Sequence, residues 1–198
     1  MAKTNERKGR MDSWENITAQ ALEAKGRPQY SITDDSDLDY AAKYAISEAS
    51  RWDNAISVLQ QANKKFFDCQ ICVMTALSAE LYLKATLMLN GINVTKNRDC
   101  MQHNLRKLFE KLEESDQLYV KEQMEPCDTE TILLISECIV LRDFDQKLDF
   151  ISNDFINLRY HYEKFLNGEP ILTLQKFTLY FRDCVRDISN RKSKERGF

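Results

Sequence analysis

Apolar residues recur at helical spacing through most of the chain between Pro28 and Ile188, and no segment reads as a strand of strict alternation. Asp35 or Asp37 can cap a first helix running to about Ala49, whose pattern includes Tyr40, Tyr44 and Ile46. A second element is expected from about Arg51 to Ala62, with Trp52, Ala55, Ile56, Leu59 and Gln60 in register. The clearest periodicity spans Lys64 to Asn90, where Phe67, Ile71, Met74, Ser78, Leu81, Ala85 and Met88 recur at alternating steps of four and three. Asn90-Gly91 then supplies a left-handed helix end.

Ile92 to Gln102 reads as a loop. His103-Asn104-Leu105 opens another helix with Leu105, Leu108, Phe109 and Leu112 on one face and Asn104 or His103 near its cap. A short segment holding Leu118 and Val120 ends by Pro126. From Asp128 a capped helix is expected to carry Ile132, Ile135, Ile139, Leu141 and Phe144 toward Phe150. Ser152-Asn153-Asp154 restarts a helix through Leu166, stopped by Asn167-Gly168-Glu169-Pro170. The last helix, Leu172 to about Ile188, carries Phe177, Tyr180, Phe181 and Cys184. The pattern divides the chain into a polar N-terminal tail (1–28), a helical domain (29–190) and a basic tail (191–198) expected to fray.

Composition sharpens this reading. Five Gly and three Pro make about 4% of 198 residues, against a usual share of roughly 12%. Sandwiches and barrels need turn residues more often than that. The glycines stand apart, so phosphate-cradling loops and nucleophile elbows are excluded. The fold class is therefore all-α, a helical bundle of about five to seven helices. With 28 basic and 31 acidic residues the formal net charge is −3, unlike proteins that live on non-specific nucleic-acid binding. The N-terminus lacks the apolar run of a signal peptide, and the most apolar stretch, Ala76 to Leu89, carries Glu80 and Lys84. A cytoplasmic location with no membrane partner is expected.

Six cysteines fit that compartment as free thiols. Cys69-Gln-Ile-Cys72 has zinc-knuckle or redox spacing, but no second Cys or His pair completes a metal site and no strand precedes it. The run Asp34-Asp35-Ser36-Asp37-Leu38-Asp39 fails as a calcium loop. Starting at Asp35, Tyr40 falls where glycine is required and Ile46 where the bidentate glutamate belongs. No metal and no cofactor are expected.

Three clusters could carry chemistry. Glu80 and Lys84 share a helix face with Val73, Leu77 and Leu87, and two arrangements fit them: a solvent-side i,i+4 pair, or a partly buried polar site. Arg98 precedes His103 by five positions, and an arginine beside a histidine could stabilise phosphate charge and move a proton without metal. Arg98 lies in the expected loop, so nothing local fixes its distance from His103. Arg159-Tyr160-His161-Tyr162-Glu163 forms the third cluster, in which Arg159 and Glu163 share a helix face and could pair with each other or with Glu80 and Lys84.

Together these segments resemble the HEPN family (higher eukaryote and prokaryote nucleotide-binding domains). The resemblance rests on Ala76-Leu77-Ser78-Ala79-Glu80-Leu81-Tyr82-Leu83-Lys84-Ala85, then His103-Asn104-Leu105 with Leu108, then Leu158-Arg159-Tyr160 with Glu163, and spans about residues 38 to 188. It implies an up-and-down α-helical bundle, usually dimeric, cytoplasmic, and often part of toxin–antitoxin or phage-defence systems. Many such proteins are metal-independent endoribonucleases; others bind nucleotides, RNA or a partner nucleotidyltransferase. Active members carry an Arg followed four to six positions later by His on a late helix. Here Arg159 is followed by His161, two positions on, and side chains two apart on a helix diverge by ~200°.

The expected function is a HEPN-like binding and dimerisation module for RNA, nucleotide or a partner protein, with a homodimer and an antitoxin or nucleotidyltransferase as the partners implied. Its ligand site would gather Glu80, Lys84, His103, Arg159 and Glu163, with Lys84 and Arg159 touching an anion and the glutamates orienting them. The competing class is an endoribonuclease with His103 or His161 as general acid/base and Arg98 or Arg159 stabilising the phosphate. A third class is a purely structural partner subunit.

Overall fold

The computed structural model describes residues 36–62, 68–128, 132–134, 139–141, 143–153, 158 and 174–197. All belong to one compact unit, Asp34–Phe198. Six helices run through the described residues: α1 (Ser36–Gln61), α2 (Asp68–Leu89), α3 (Leu105–Phe109), α4 (Glu114–Asp128), α5 (Phe144–Ile151) and α6 (Gln175–Glu195). The all-α bundle expected from the sequence is the fold observed, with one small two-stranded ribbon added.

α1 is a single 26-residue helix where two were expected. No Gly or Pro interrupts it, and Leu38, Ala42, Ala45, Ala49 and Ile56 form one continuous buried stripe. Asp37 lies inside its first turn with Asp39, where carboxylates favour the positive end of the helix dipole; Asp35, the other expected cap, lies outside the described residues. The small Ala42, Ala45 and Ala49 let α2 approach closely. α2 returns antiparallel to α1 and is buried almost all round, from Ile71 and Cys72 to Met88 and Leu89. That differs from the one-sided stripe expected, because α1, α6 and α3 cover different sides of the helix. Met74 and Leu81, read as core, are only half-buried, whereas Ala76, Ala79 and Leu83 are buried.

α2 is also the one helix, among the described residues, long and apolar enough to cross a membrane, and 72% of its most apolar window is buried inside the bundle. Its end is the one expected. Gly91 adopts φ 80°. The Gly91 N–H bonds Met88 O at 2.9 Å and the Ile92 N–H bonds Leu87 O at 2.9 Å, a Schellman closure. Arg196 of α6 reaches back and donates to Leu89 O at 2.8 Å, satisfying another terminal carbonyl.

Downstream, the 92–104 loop is tightly tied. Asn93 Oδ1 accepts from the Thr95 and Lys96 N–H groups (3.1 and 3.3 Å), and Cys100 is buried beneath it. Asn104 caps α3, accepting from the Lys107 N–H at 2.9 Å as its sequence position foretold. α4 is a 15-residue helix rather than a short segment ended by Pro126. The proline falls in its last turn, where only one ladder bond is forgone.

The helix expected from Asp128 toward Phe150 is not continuous. Residues Ile132–Leu134 (β1) and Ile139–Leu141 (β2) pair antiparallel, with Ile132 opposite Leu141 and Leu134 opposite Ile139. Short apolar runs fit either period, and the β-branched Ile132, Ile139 and Val140 favour the extended state. Only the last part is helical: Asp143 caps α5, accepting from the Gln146 N–H at 2.8 Å. The helix expected from 152 to 166 and its Gly168–Pro170 stop lie outside the described residues, except Ser152, Asn153 and Leu158.

α6 begins at Gln175 and continues through the supposedly fraying tail to Glu195. Tertiary pairing explains the extension. Buried Asp116 of α4 binds Arg191 at 2.9 Å and Lys192 at 3.0 Å, and Glu113 binds Lys192 at 2.8 Å. Burial alone would lower the pKa of Lys192, but its bonds to Glu113 and Asp116 outweigh that and hold its ammonium above the usual range. The second half of the core is aromatic. Phe109 of α3, Phe144 of α5 and Phe181 of α6 meet with centroids 5.4–6.4 Å apart, and Phe177 packs tilted against Phe144 at 5.9 Å. Phe181 is fully buried. Truncation of Phe181 to Ala should therefore lower unfolding free energy by about 3–5 kcal/mol in urea titrations, with α3 and α5 losing hydrogen-exchange protection first.

Candidate functional site

Glu80 sits in the middle of α2 and is 2% exposed. A carboxylate in such a place is costly unless paired and hydrogen-bonded. One turn later Lys84 Nζ donates to Glu80 Oε1 at 2.6 Å, with its side chain 17% exposed. The second partner comes from the loop: His103 Nδ1 lies 3.0 Å from Glu80 Oε1 and 2.9 Å from Oε2. Its ring is 44% exposed, so the trio runs from buried carboxylate to solvent-facing imidazole.

Local chain chemistry explains why His103 arrives there. The Gly91 turn reverses the chain, Asn93 and Asn97 fold the loop on itself, and Cys100 anchors it in the core. α3 is then fixed from behind, since the Leu105 N–H bonds Ser152 O at 3.0 Å and the Arg106 N–H bonds Ser152 Oγ at 3.1 Å. His103 is the last residue before the Asn104 cap, so both its flanks are held. A carboxylate on Nδ1 selects the tautomer that carries its proton there, the usual way an imidazole is oriented for binding or proton transfer.

Of the five expected ligand residues, the structure brings together Glu80, Lys84 and His103. The solvent-side version of the Glu80–Lys84 pair is excluded by the burial of Glu80. Arg98 is exposed on the turn before Cys100 and takes no part in the trio. Arg159, His161 and Glu163 lie outside the described residues, so their expected roles and pairings are not placed. Cys100 lies close to Lys84 and Lys111; burial pushes its thiol pKa up, and the two ammonium groups offset only part of that. Cys69 and Cys72 both lie on α2. Among the described residues no three His, Cys, Asp or Glu side chains are placed to share a metal ion.

A second polar cluster was not anticipated. Asp53 of α1 accepts from Ser78 Oγ at 2.7 Å and from Tyr82 OH at 2.9 Å, both on α2. Arg182 of α6 binds the same carboxylate, and Arg186 lies 3.6 Å from its other oxygen. Asp183 in turn holds both arginines, at 2.9 and 3.0 Å. The available signal was weak. Ser78 and Tyr82, and Arg182 and Arg186, are each four apart, but nothing in three separate helices says that they share one acid. Burial is the main cause of a Tyr82 pKa pushed up to about 12; Asp53 adds to it, while the hydrogen bond from Ser50 and the charge of Arg186 work against it. With its arginines and carboxylates matched, this cluster is a joint between helices.

The described residues thus define an all-α helical bundle with a Glu–Lys–His trio that runs from a buried carboxylate to an exposed imidazole. Comparisons with protein-family models, with curated proteins and with solved structures find no match to this chain.

Replacing Asp53 with Ala leaves Arg182 with Asp183 alone and takes the acceptor from Ser78 and Tyr82, and should cost about 3 kcal/mol in chemical denaturation. Tyr82 gives a pH signature. Its folded pKa is raised, so its contribution is fully present below pH ~10 and is lost as pH rises toward about 12. Tyr82→Phe should flatten the alkaline fall in thermal midpoint over that window; an unchanged slope would place the titrating group elsewhere.

Proposed function

We propose that this chain is a HEPN-like binding and dimerisation module that takes a phosphate group of RNA or nucleotide at Lys84 and His103. The observation that carries this reading is the burial of Glu80 against an ammonium and an imidazole from separate segments. Glu80 orients Lys84 and His103, leaving Lys84 two further ammonium protons to donate. Lys84 balances the Glu80 carboxylate, so the trio carries no net negative charge and suits a phosphate better than a metal ion.

The surrounding segment supports an anionic ligand. Residues 92–111 hold five cationic side chains; Glu110 and Asp145 take up Arg106 and Asp99 takes up Lys111, which leaves Lys96, Arg98 and Lys107, in a chain whose net charge is −3. Lys96, Arg98 and Lys107 are exposed. Such a local basic surface steers a polyanion even when the whole protein is acidic. Phosphate contact by side chains also agrees with the lack of a glycine loop.

A second reading is favoured by one feature of the same site. An imidazole oriented by a buried carboxylate is the arrangement of a general base, so His103 could abstract a 2′-hydroxyl proton in a metal-independent ribonuclease. Arg98, exposed nearby in sequence, would then have to swing in to stabilise the phosphate.

Fluorescence anisotropy with a short single-stranded RNA and with a nucleoside monophosphate separates these readings. At about 50 mM salt the protein should bind RNA, and Lys84→Gln should weaken binding and reduce the salt slope by about one. No binding by the folded protein, or equal binding by a Lys84→Gln/His103→Gln variant, overturns the proposal. RNA cleavage in chelator, abolished by His103→Ala, would favour the nuclease.

A further inference from the structure

α2 and α6 end side by side. Arg196, which caps α6, donates to the Leu89 carbonyl at the end of α2 at 2.8 Å, and Lys192 one turn earlier binds Glu113 just ahead of α4 at 2.8 Å. Between these three element ends lies a cleft of about 320 Å³, lined by Leu89, Asn90, Glu113, Lys192, Glu195 and Arg196. Asn90 is ten positions beyond Glu80, ~15 Å along the helix axis, so the cleft is separate from the Glu80–Lys84–His103 trio. Its volume falls at the small end of the ~300–1,000 Å³ usual for small-molecule sites, which suits a compact ligand.

The fold leaves two side chains of this cleft unspent. Asn90 Nδ2 is buried and meets no acceptor among the described residues. Glu195 is exposed and forms no ion pair among the described residues, although two cations line the cleft with it. Both cations are engaged elsewhere, Lys192 by Glu113 and Asp116, and Arg196 by the Leu89 carbonyl and, at 4.0 Å, Asp39. Each still has donors to offer, one N–H on the ammonium and several on the guanidinium.

The unspent groups are of both signs. Asn90 and Arg196 can donate to a carboxylate, and Glu195 can accept from an ammonium. The charged lining residues cancel, Glu113 and Glu195 against Lys192 and Arg196, and buried Asp116 stands behind Lys192. A simple anion would meet the donors but face three carboxylates. A simple cation would leave the Asn90 amide without an acceptor, which a buried donor does not tolerate cheaply. A small molecule with both charges avoids both costs. The negative dipole ends of α2 and α6, which meet here, favour its ammonium.

We infer that this cleft binds a zwitterion of the α-amino acid class, with its carboxylate on Asn90 Nδ2 and Arg196 and its ammonium on Glu195. The site is additional to the proposed phosphate site and does not depend on it. A ligand there ties the end of α2 to the last turn of α6, so binding should raise the thermal midpoint.

Thermal-shift and calorimetric titrations of the full chain test this with each common L-amino acid at ~10 mM. At least one should bind and raise the midpoint. Its N-acetyl and methyl-ester derivatives, each short of one charge, should bind about tenfold more weakly or worse. Glu195→Gln and Asn90→Ala should each weaken binding by a similar factor. Neither side chain bonds a described residue, so both variants should keep the wild-type midpoint without ligand. No shift with any amino acid overturns the inference and leaves the cleft to solvent. A derivative that binds as well as its parent overturns the zwitterion, and variants that bind as well as wild type overturn the site. Binding lost in Lys84→Gln but kept in Glu195→Gln would move the ligand to the Glu80 trio, and the inference would fail.

Discussion

The carboxylate of Asp53 is where α1, α2 and α6 are tied together. It takes hydroxyl donors from Ser78 and Tyr82 and a guanidinium from Arg182, so one acid on α1 joins its neighbour α2 and the distant α6. Apolar packing holds these helices together but tolerates sliding, since one Ala or Leu can replace another along a ridge. A buried charged joint does not slide, because a shift of one turn would strand a charge in the core. The rotation of α2 is set by this joint, and with it the direction in which Glu80 projects.

Glu80 lies on a helix that is covered almost all round, so its carboxylate can be satisfied only where the cover opens. The 92–104 loop closes that opening. It is rigid for separable reasons: a left-handed Gly91, two asparagine turns, a buried cysteine and a capped α3 docked on Ser152. Each removes conformational freedom that His103 would otherwise lose on meeting Glu80. The half-exposed imidazole is thereby held in one orientation by its loop and by Glu80.

Legibility in the sequence followed the range of the forces involved. The Gly91 helix end and the Asn104 cap were read correctly because each is settled within a few residues. Boundaries failed where distant partners decided them. The basic segment from Arg191 looked frayed, yet Asp116 of α4 and Glu113 just before it neutralise Arg191 and Lys192 and extend the helix. The 128–150 segment failed for a different reason. Its short apolar runs satisfied a helical period by chance, and cross-strand pairing of β-branched residues won. For the site, Glu80, Lys84 and His103 stood out as polar residues amid core, whereas no sequence feature singled out Asp53.

Sequence alone therefore determined the all-α class, the long central helix, its left-handed end, and three of the polar residues that matter. Periodicity, capping and glycine chemistry act over one or two turns and are written locally. Tertiary structure alone decided that Glu80 is buried, that His103 folds back onto it, and that Asp53 rather than any predicted group locks the helices. Those outcomes depend on desolvation and on charges brought together from positions up to 129 residues apart, and no local pattern encodes such a meeting.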